Sequence, residues 1–266
     1  MNDFLNQLVF GWFPYFALTV LILGSILRFD KDQYSWRSQS SQFLRRRQMR
    51  LGSNLFHIGV LILLVGHLVG LLTPINVFEA AGITHGAKQL MALVVGGLAG
   101  VAAWIGASLL LHRRLIDPRI RRSSSFGDVA VLALLWLQLT LGLATTFWTI
   151  DHLDGSEMVL FMGWAHGILT FNPDAPDLIV DSYLVYKIHI AVGLLLFLIT
   201  PFTRLVHVWS APIWYLFRPG YQIVRPRAPR RGSEERPTTQ GPAGTAPSFG
   251  GPAVSRGISE SGEGGA

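Results

Sequence analysis

The 266-residue chain contains no cysteine, and that absence is the first constraint on its chemistry. Disulfides, cysteine-ligated iron–sulfur clusters and covalently attached c-type haem are all excluded, so any redox centre held by this chain must use histidine. Charge is also scarce: 14% of residues are charged, against 50% hydrophobic, and mean hydropathy is +0.39. That composition puts the chain in a bilayer. Its net charge of +6 does not point to nucleic acid, because the basic residues cluster beside apolar runs, where anionic lipid and topology explain them.

A hydrocarbon core of ~30 Å is spanned by ~20 apolar residues in a helix. Four charge-free runs meet this: Phe4–Leu27, Leu51–Leu72, Gln89–His112 and Val129–Ile150. A fifth, Ile188–Thr203, reaches spanning length if its helix starts near Tyr183 and Arg204 snorkels to the interface. The expected fold is therefore an all-α membrane protein with five transmembrane helices. Seven Lys and Arg residues fall in 28–50, five in 112–128 and eight from Arg204 onward, whereas the other two connections hold one each, Lys88 and Lys187. By the positive-inside rule the N-terminus lies outside and the C-terminus in the cytoplasm. Phe4–Leu27 has no positive region before it and reads as a retained first helix rather than a cleaved signal. The span domain covers 1–225. The Gly/Pro/Ser-rich stretch 226–266 has too little apolar surface to form a core and reads as a disordered cytoplasmic tail.

Four histidines lie in or at the ends of membrane-length runs: His57 and His67 in the second, His189 and His207 in or just after the fifth. Imidazole is costly in hydrocarbon unless it is paired. The two spans run in opposite directions, so His67 and His189 are level near the outer face and His57 and His207 near the inner. The fit in height is imperfect. Ten helical residues rise about 15 Å and eighteen about 27 Å, a difference to be absorbed by tilt, a kink at Pro201 and the width of whatever lies between the ligands. Eighteen residues are five turns, which puts His189 and His207 on one helical face. Neither span offers the i, i+4 histidine pair of a zinc site. Haem takes one axial imidazole from each side of a flat macrocycle, so two bis-histidine haems b fit this set. Gly59, Gly66, Gly70 and Gly193 are equally suited to macrocycle contact and to close helix packing. His85, His112, His152 and His166 fall at helix ends or in loops and are assigned no ligand role.

The segments SNLFHIGVLILLVGHLVGLLTP, RFDKDQYSWRSQSSQFL, LDGSEM and TPFTRLVHVWSAPIWYLFRPGYQIVR together resemble the gamma subunit of membrane-bound respiratory nitrate reductase, over residues 1 to about 225. The resemblance implies a dihaem cytochrome b of the inner (cytoplasmic) membrane. It would oxidise membrane quinol on the outer side and pass electrons to a cytoplasmic iron–sulfur beta subunit and a molybdenum alpha subunit that reduces nitrate. His67 and His189 would hold the distal, outer haem; His57 and His207 would hold the proximal, inner one. The family's quinol-binding lysine maps to Lys88 in KQLMA, with Gly66 and His67 beside it. Lys187 reads as a surface anchor, and Arg113, Arg114 and Arg204 as positive-inside residues with haem propionates as a second possibility. The loop at 29–50 and the segment 209–224 would form the docking surface. Two rivals share parts of this pattern. One is a related dihaem anchor serving another respiratory complex, such as a sulfite-reductase-linked one. The other is a non-redox transporter or scaffold, for which the chain lacks a visible inverted repeat.

Overall fold

The computed structural model describes residues 3–32, 46–150 and 154–209, all within the compact unit Met1–Leu216; the rest, including His152, the YSWRSQSS loop, the docking segment after Trp209 and the tail, lies outside the described residues. The described residues are helical, without strands. Helix α1 (Asp3–Lys31) contains a π turn at Gln7–Trp12. Helices α2 (Arg46–Leu72), α3 (Ile75–Ala80) and α4 (His85–Ile116, with a π turn at Ala92–Gly96) follow. Then come α5 (Pro118–Ser123), α6 (Phe126–Thr149), α7 (Ser156–Leu169) and α8 (Leu184–Ile199). Five of these, α1, α2, α4, α6 and α8 with its 3₁₀ continuation to Phe202, are long and apolar enough to cross a membrane.

The order of packing is α2 on α4, α4 on α6, α6 on α8 and α8 on α1. Small residues permit the closest of these contacts. A Cβ on Gly59 would meet the Ala99 carbonyl at 2.5 Å, and one on Gly106 would meet the Phe56 amide nitrogen at 2.4 Å. Backbone contact at this range is how helices associate in lipid, where burying leucine against leucine gains little over lipid tails. Gly59 is thus a packing residue. A Gly106→Ala chain should be destabilised by about 1–3 kcal/mol, seen as lower accumulation in membranes and earlier thermal loss of structure; unchanged melting would show that the α2–α4 seam is not under this constraint.

α6 starts on a capping box, Ser125 accepting from the Asp128 amide at 3.2 Å while the Asp128 carboxylate accepts from the Ser125 amide at 3.1 Å. Membrane-interior polar groups pair helix to helix. Trp104 Nε1 donates to Thr140 Oγ1 at 3.0 Å and Trp136 Nε1 donates to Ser108 Oγ at 2.9 Å, binding α4 to α6. α7, with 14 residues, is too short to span and lies over the end of α2, where His166 Nε2 meets the Leu72 carbonyl at 3.0 Å. Trp164 Nε1 donates to the Phe10 carbonyl at 3.0 Å and ties α7 to α1.

The fifth span departs from the expected single helix with a kink. Pro201 has no amide proton to continue the ladder, so α8 ends at Ile199 and a 3₁₀ turn, Thr200–Phe202, follows. At Thr203 the backbone is extended, and a second 3₁₀ segment, Arg204–Val208, carries His207. His189 and His207 therefore do not share a continuous helical face. Arg28 of α1 holds the break, donating to the carbonyls of Pro201 at 2.6 Å and Thr203 at 2.8 Å. Gly24, where a Cβ would lie 2.9 Å from Pro201 Cβ, gives the proline room.

Candidate functional site

The two histidines of α2 face one histidine on α8 and one on the 3₁₀ segment beyond it. His57 and His207 face each other with ring centroids 6.2 Å apart, and His67 and His189 with centroids 6.3 Å apart. The two pairs are the ones that antiparallel depth predicts. The break after Ile199 accounts for the mismatch in rise, since the course to His207 is not one straight helix. Among the described residues no group of three or more His, Asp or Glu side chains converges on a common point. Each pair presents two imidazoles that face one another.

Local bonds orient three of the imidazoles alike. His57 Nδ1 lies 2.7 Å from the Ser53 carbonyl and His67 Nδ1 2.7 Å from the Leu63 carbonyl, each one turn back along α2. His207 Nδ1 is bonded to the Arg204 carbonyl within its 3₁₀ segment. A carbonyl on Nδ1 makes that nitrogen the donor and leaves the Nε2 lone pair for a ligand. His189 differs: the Gln138 amide approaches its Nε2 at a long 3.4 Å, and its Nδ1 is buried without a partner.

Glycines open the space around the rings. Nothing lies within 4 Å of a Cβ placed on Gly66, next to His67 in sequence, or on Gly70, three residues beyond it. On α6 a Cβ at Gly142 would sit 3.0 Å from His189 Cε1, so the absence of a side chain there admits the imidazole. A Cβ at Gly193 would sit 3.2 Å from Gln138 Nε2. Gln138 and Gly142 were not singled out from the sequence. The available signal was an amide in the middle of an otherwise apolar span, which is as unusual in lipid as an imidazole.

Lys88, four residues into α4, is 3% exposed and turned into the protein. Its ammonium donates to the Gly70 carbonyl at 2.9 Å and to Met162 Sδ at 2.8 Å, and stands 3.8 Å from the centre of the Phe78 ring. Among the described residues no carboxylate pairs with it. Gly70 is three residues past His67 on α2, so this buried cation is bound to the turn that follows His67 and is not a snorkelling anchor.

Lys187 corrects the expectation of a surface anchor. It is 7% exposed and donates to the Val180 carbonyl, tying the start of α8 to the preceding loop. At the other end of the bundle Arg204 pairs with Asp128, and Arg114 lies 3.9 Å from the same carboxylate. Arg113 is 2% exposed, with Met49 Sδ 3.3 Å from its guanidinium. The Asp128 pairing fixes the backbone of Arg204, whose carbonyl in turn orients His207. Of the histidines outside the two pairs, His85 meets Glu79 at 3.2 Å, His166 caps α2, and His112 is exposed at the end of α4.

Two comparisons agree on the family. The sequence model of the nitrate reductase gamma subunit family matches residues 6–227. The chain is 46% identical over 225 residues to the respiratory nitrate reductase 1 gamma chain of Escherichia coli, covering 85% of this chain and 99% of that one. It is 45% identical over 227 residues to the respiratory nitrate reductase 2 gamma chain of the same organism, covering 85% and 100%. The nitrate reductase gamma chain of Bacillus subtilis is 40% identical over 223 residues, covering 84% and 99%. With five apolar helices of spanning length, the chain is a multi-pass membrane protein that belongs to the nitrate reductase gamma subunit family.

Proposed function

We propose that this chain is the dihaem cytochrome b subunit of a respiratory nitrate reductase, oxidising quinol near the outer face of the cytoplasmic membrane. His67 and His189 would hold the outer haem, His57 and His207 the inner. The observation that carries this reading is the spacing of the two histidine pairs. Two imidazoles sharing one metal at bonds of about 2.0 Å have ring centres about 6 Å apart, and both pairs stand at 6.2–6.3 Å. The donor set also fits: Nδ1 of three rings is already satisfied by a carbonyl, and the fourth ring carries a buried nitrogen that lacks a partner. When bound, bis-histidine haems supply one-electron carriers with no open iron position, suited to electron transfer rather than oxygen binding.

The chain's own residues do the rest. Lys88 offers a charge-assisted donor to a quinol oxygen, and Gly66 leaves the room beside His67 into which a ring can slide. The twenty cationic residues assigned to the cytoplasmic side set the direction, N-terminus outside and C-terminus inside. Protons from quinol are then released outward while electrons reach the cytoplasmic iron–sulfur beta and molybdenum alpha subunits. Each electron crosses the membrane potential, worth about 2.3 kcal/mol per 100 mV.

The purified complex should show a dithionite-reduced b-type spectrum, with two haems for each copy of this chain. A colourless preparation of folded chain would reject the cytochrome reading and return the histidines to packing or proton transfer.

A further inference from the structure

Lys88 has three donor hydrogens and no acceptor, and its three neighbours are unequal. The Gly70 carbonyl belongs to the last turn of α2, whose terminal carbonyls have no partner within the helix. That bond caps α2 as well as holding the lysine. The Phe78 face is a cation–π contact from α3 that leaves the hydrogens free to point elsewhere. The third neighbour is a thioether, among the weakest acceptors a protein offers, set against a buried cation. Of the three, only the contact to Met162 would be outcompeted by a ligand oxygen.

We infer that Met162 is a placeholder: it occupies the Lys88 hydrogen that a quinol oxygen takes, and gives it up when quinol binds. The inference rests on the quinol reading of Lys88. Methionine suits the role because its unbranched side chain has three rotatable bonds and repacks at little cost. The backbone beneath it stays put, since Trp164 and His166 anchor α7 to Phe10 and Leu72. Exchange therefore needs only a rotamer change in one side chain.

The sign of the effect separates a placeholder from a packing residue. Leucine has about the same volume but cannot accept, so in Met162→Leu the lysine hydrogen has no partner until quinol arrives. The KM for a soluble short-chain quinol should fall about two-fold, part of the roughly five-fold that one ordinary hydrogen bond is worth, in membranes carrying the whole complex with both haems retained. Met162→Gln brings an amide oxygen that holds the hydrogen more firmly, and KM should rise. Packing damage would raise KM in both variants, and that result, or an unchanged KM in Met162→Leu, overturns the placeholder. In a Lys88→Ala background Met162→Leu should shift KM no further; a persisting shift also overturns it. If Lys88→Ala itself retains normal quinol kinetics, the quinol site is misplaced and both readings fall together, whereas impaired Lys88→Ala beside unaffected Met162→Leu removes the placeholder alone.

Discussion

Changing His67 to tyrosine should abolish one b-type haem signal, and changing His189 to tyrosine should abolish the same one. His57 and His207 substitutions should each remove the other. The expectation follows from the pairing of the α2 histidines with His189 of α8 and His207 of the 3₁₀ segment, where each imidazole faces one other imidazole at 6.2 or 6.3 Å. If each pair holds a haem, removing one imidazole would leave the other alone, and loss of that haem rather than a modest weakening is the expected consequence. Spectra of reduced membranes, resolved by redox titration into two components, give the readout. The decisive result is the grouping. If His67 and His207 variants lost the same component, or all four lost both, the two-centre arrangement would be wrong.

The grouping was legible in the sequence because it needed only direction and depth. The second and fifth of five spans run in opposite directions, and the position of each histidine along its span does the rest. What was not legible was the path to His207. Helical arithmetic put it on the face of His189, whereas Pro201 ends the helix and Arg28, 173 residues away in sequence, holds the resulting 3₁₀ turn. A long-range bond of that kind leaves no periodic trace. Lys187 was misread for the same reason: the Val180 carbonyl that buries it belongs to a loop without pattern. α7 escaped notice because 14 residues fall short of a span and its apolar character resembles a loop cover. Gln138 and Gly142 carry no charge, and only the placement of His189 gives them meaning. Gly59 and Gly66, alike in sequence, part company in space: a Cβ on the first would run into the α4 backbone, whereas one on the second would meet nothing within 4 Å.

Lys88→Ala should lower quinol oxidation about ten- to a hundred-fold, the range set by a hydrogen bond to a charged group worth about 1.5–3 kcal/mol, while both haems remain. Its surroundings explain why a buried cation is tolerated here. An ammonium withdrawn from water without a carboxylate is expensive, and a carbonyl, a thioether and an aromatic face offset that cost only in part. Such a group gains from any ligand that brings a better acceptor. The lysine also caps α2, so alanine removes a structural bond. Lys88→Arg separates the roles: guanidinium keeps the charge and can reach a carbonyl, yet its planar fork places the donors differently. If capping were the whole role, arginine would restore activity and haem content together. If quinol contact is the role, arginine should restore the stability of the α2 end, measured by thermal loss of haem, while KM for quinol stays raised. Normal quinol turnover in Lys88→Ala would leave the outer histidine pair without a substrate site beside it, and the entry point for electrons would have to be sought elsewhere along the gap.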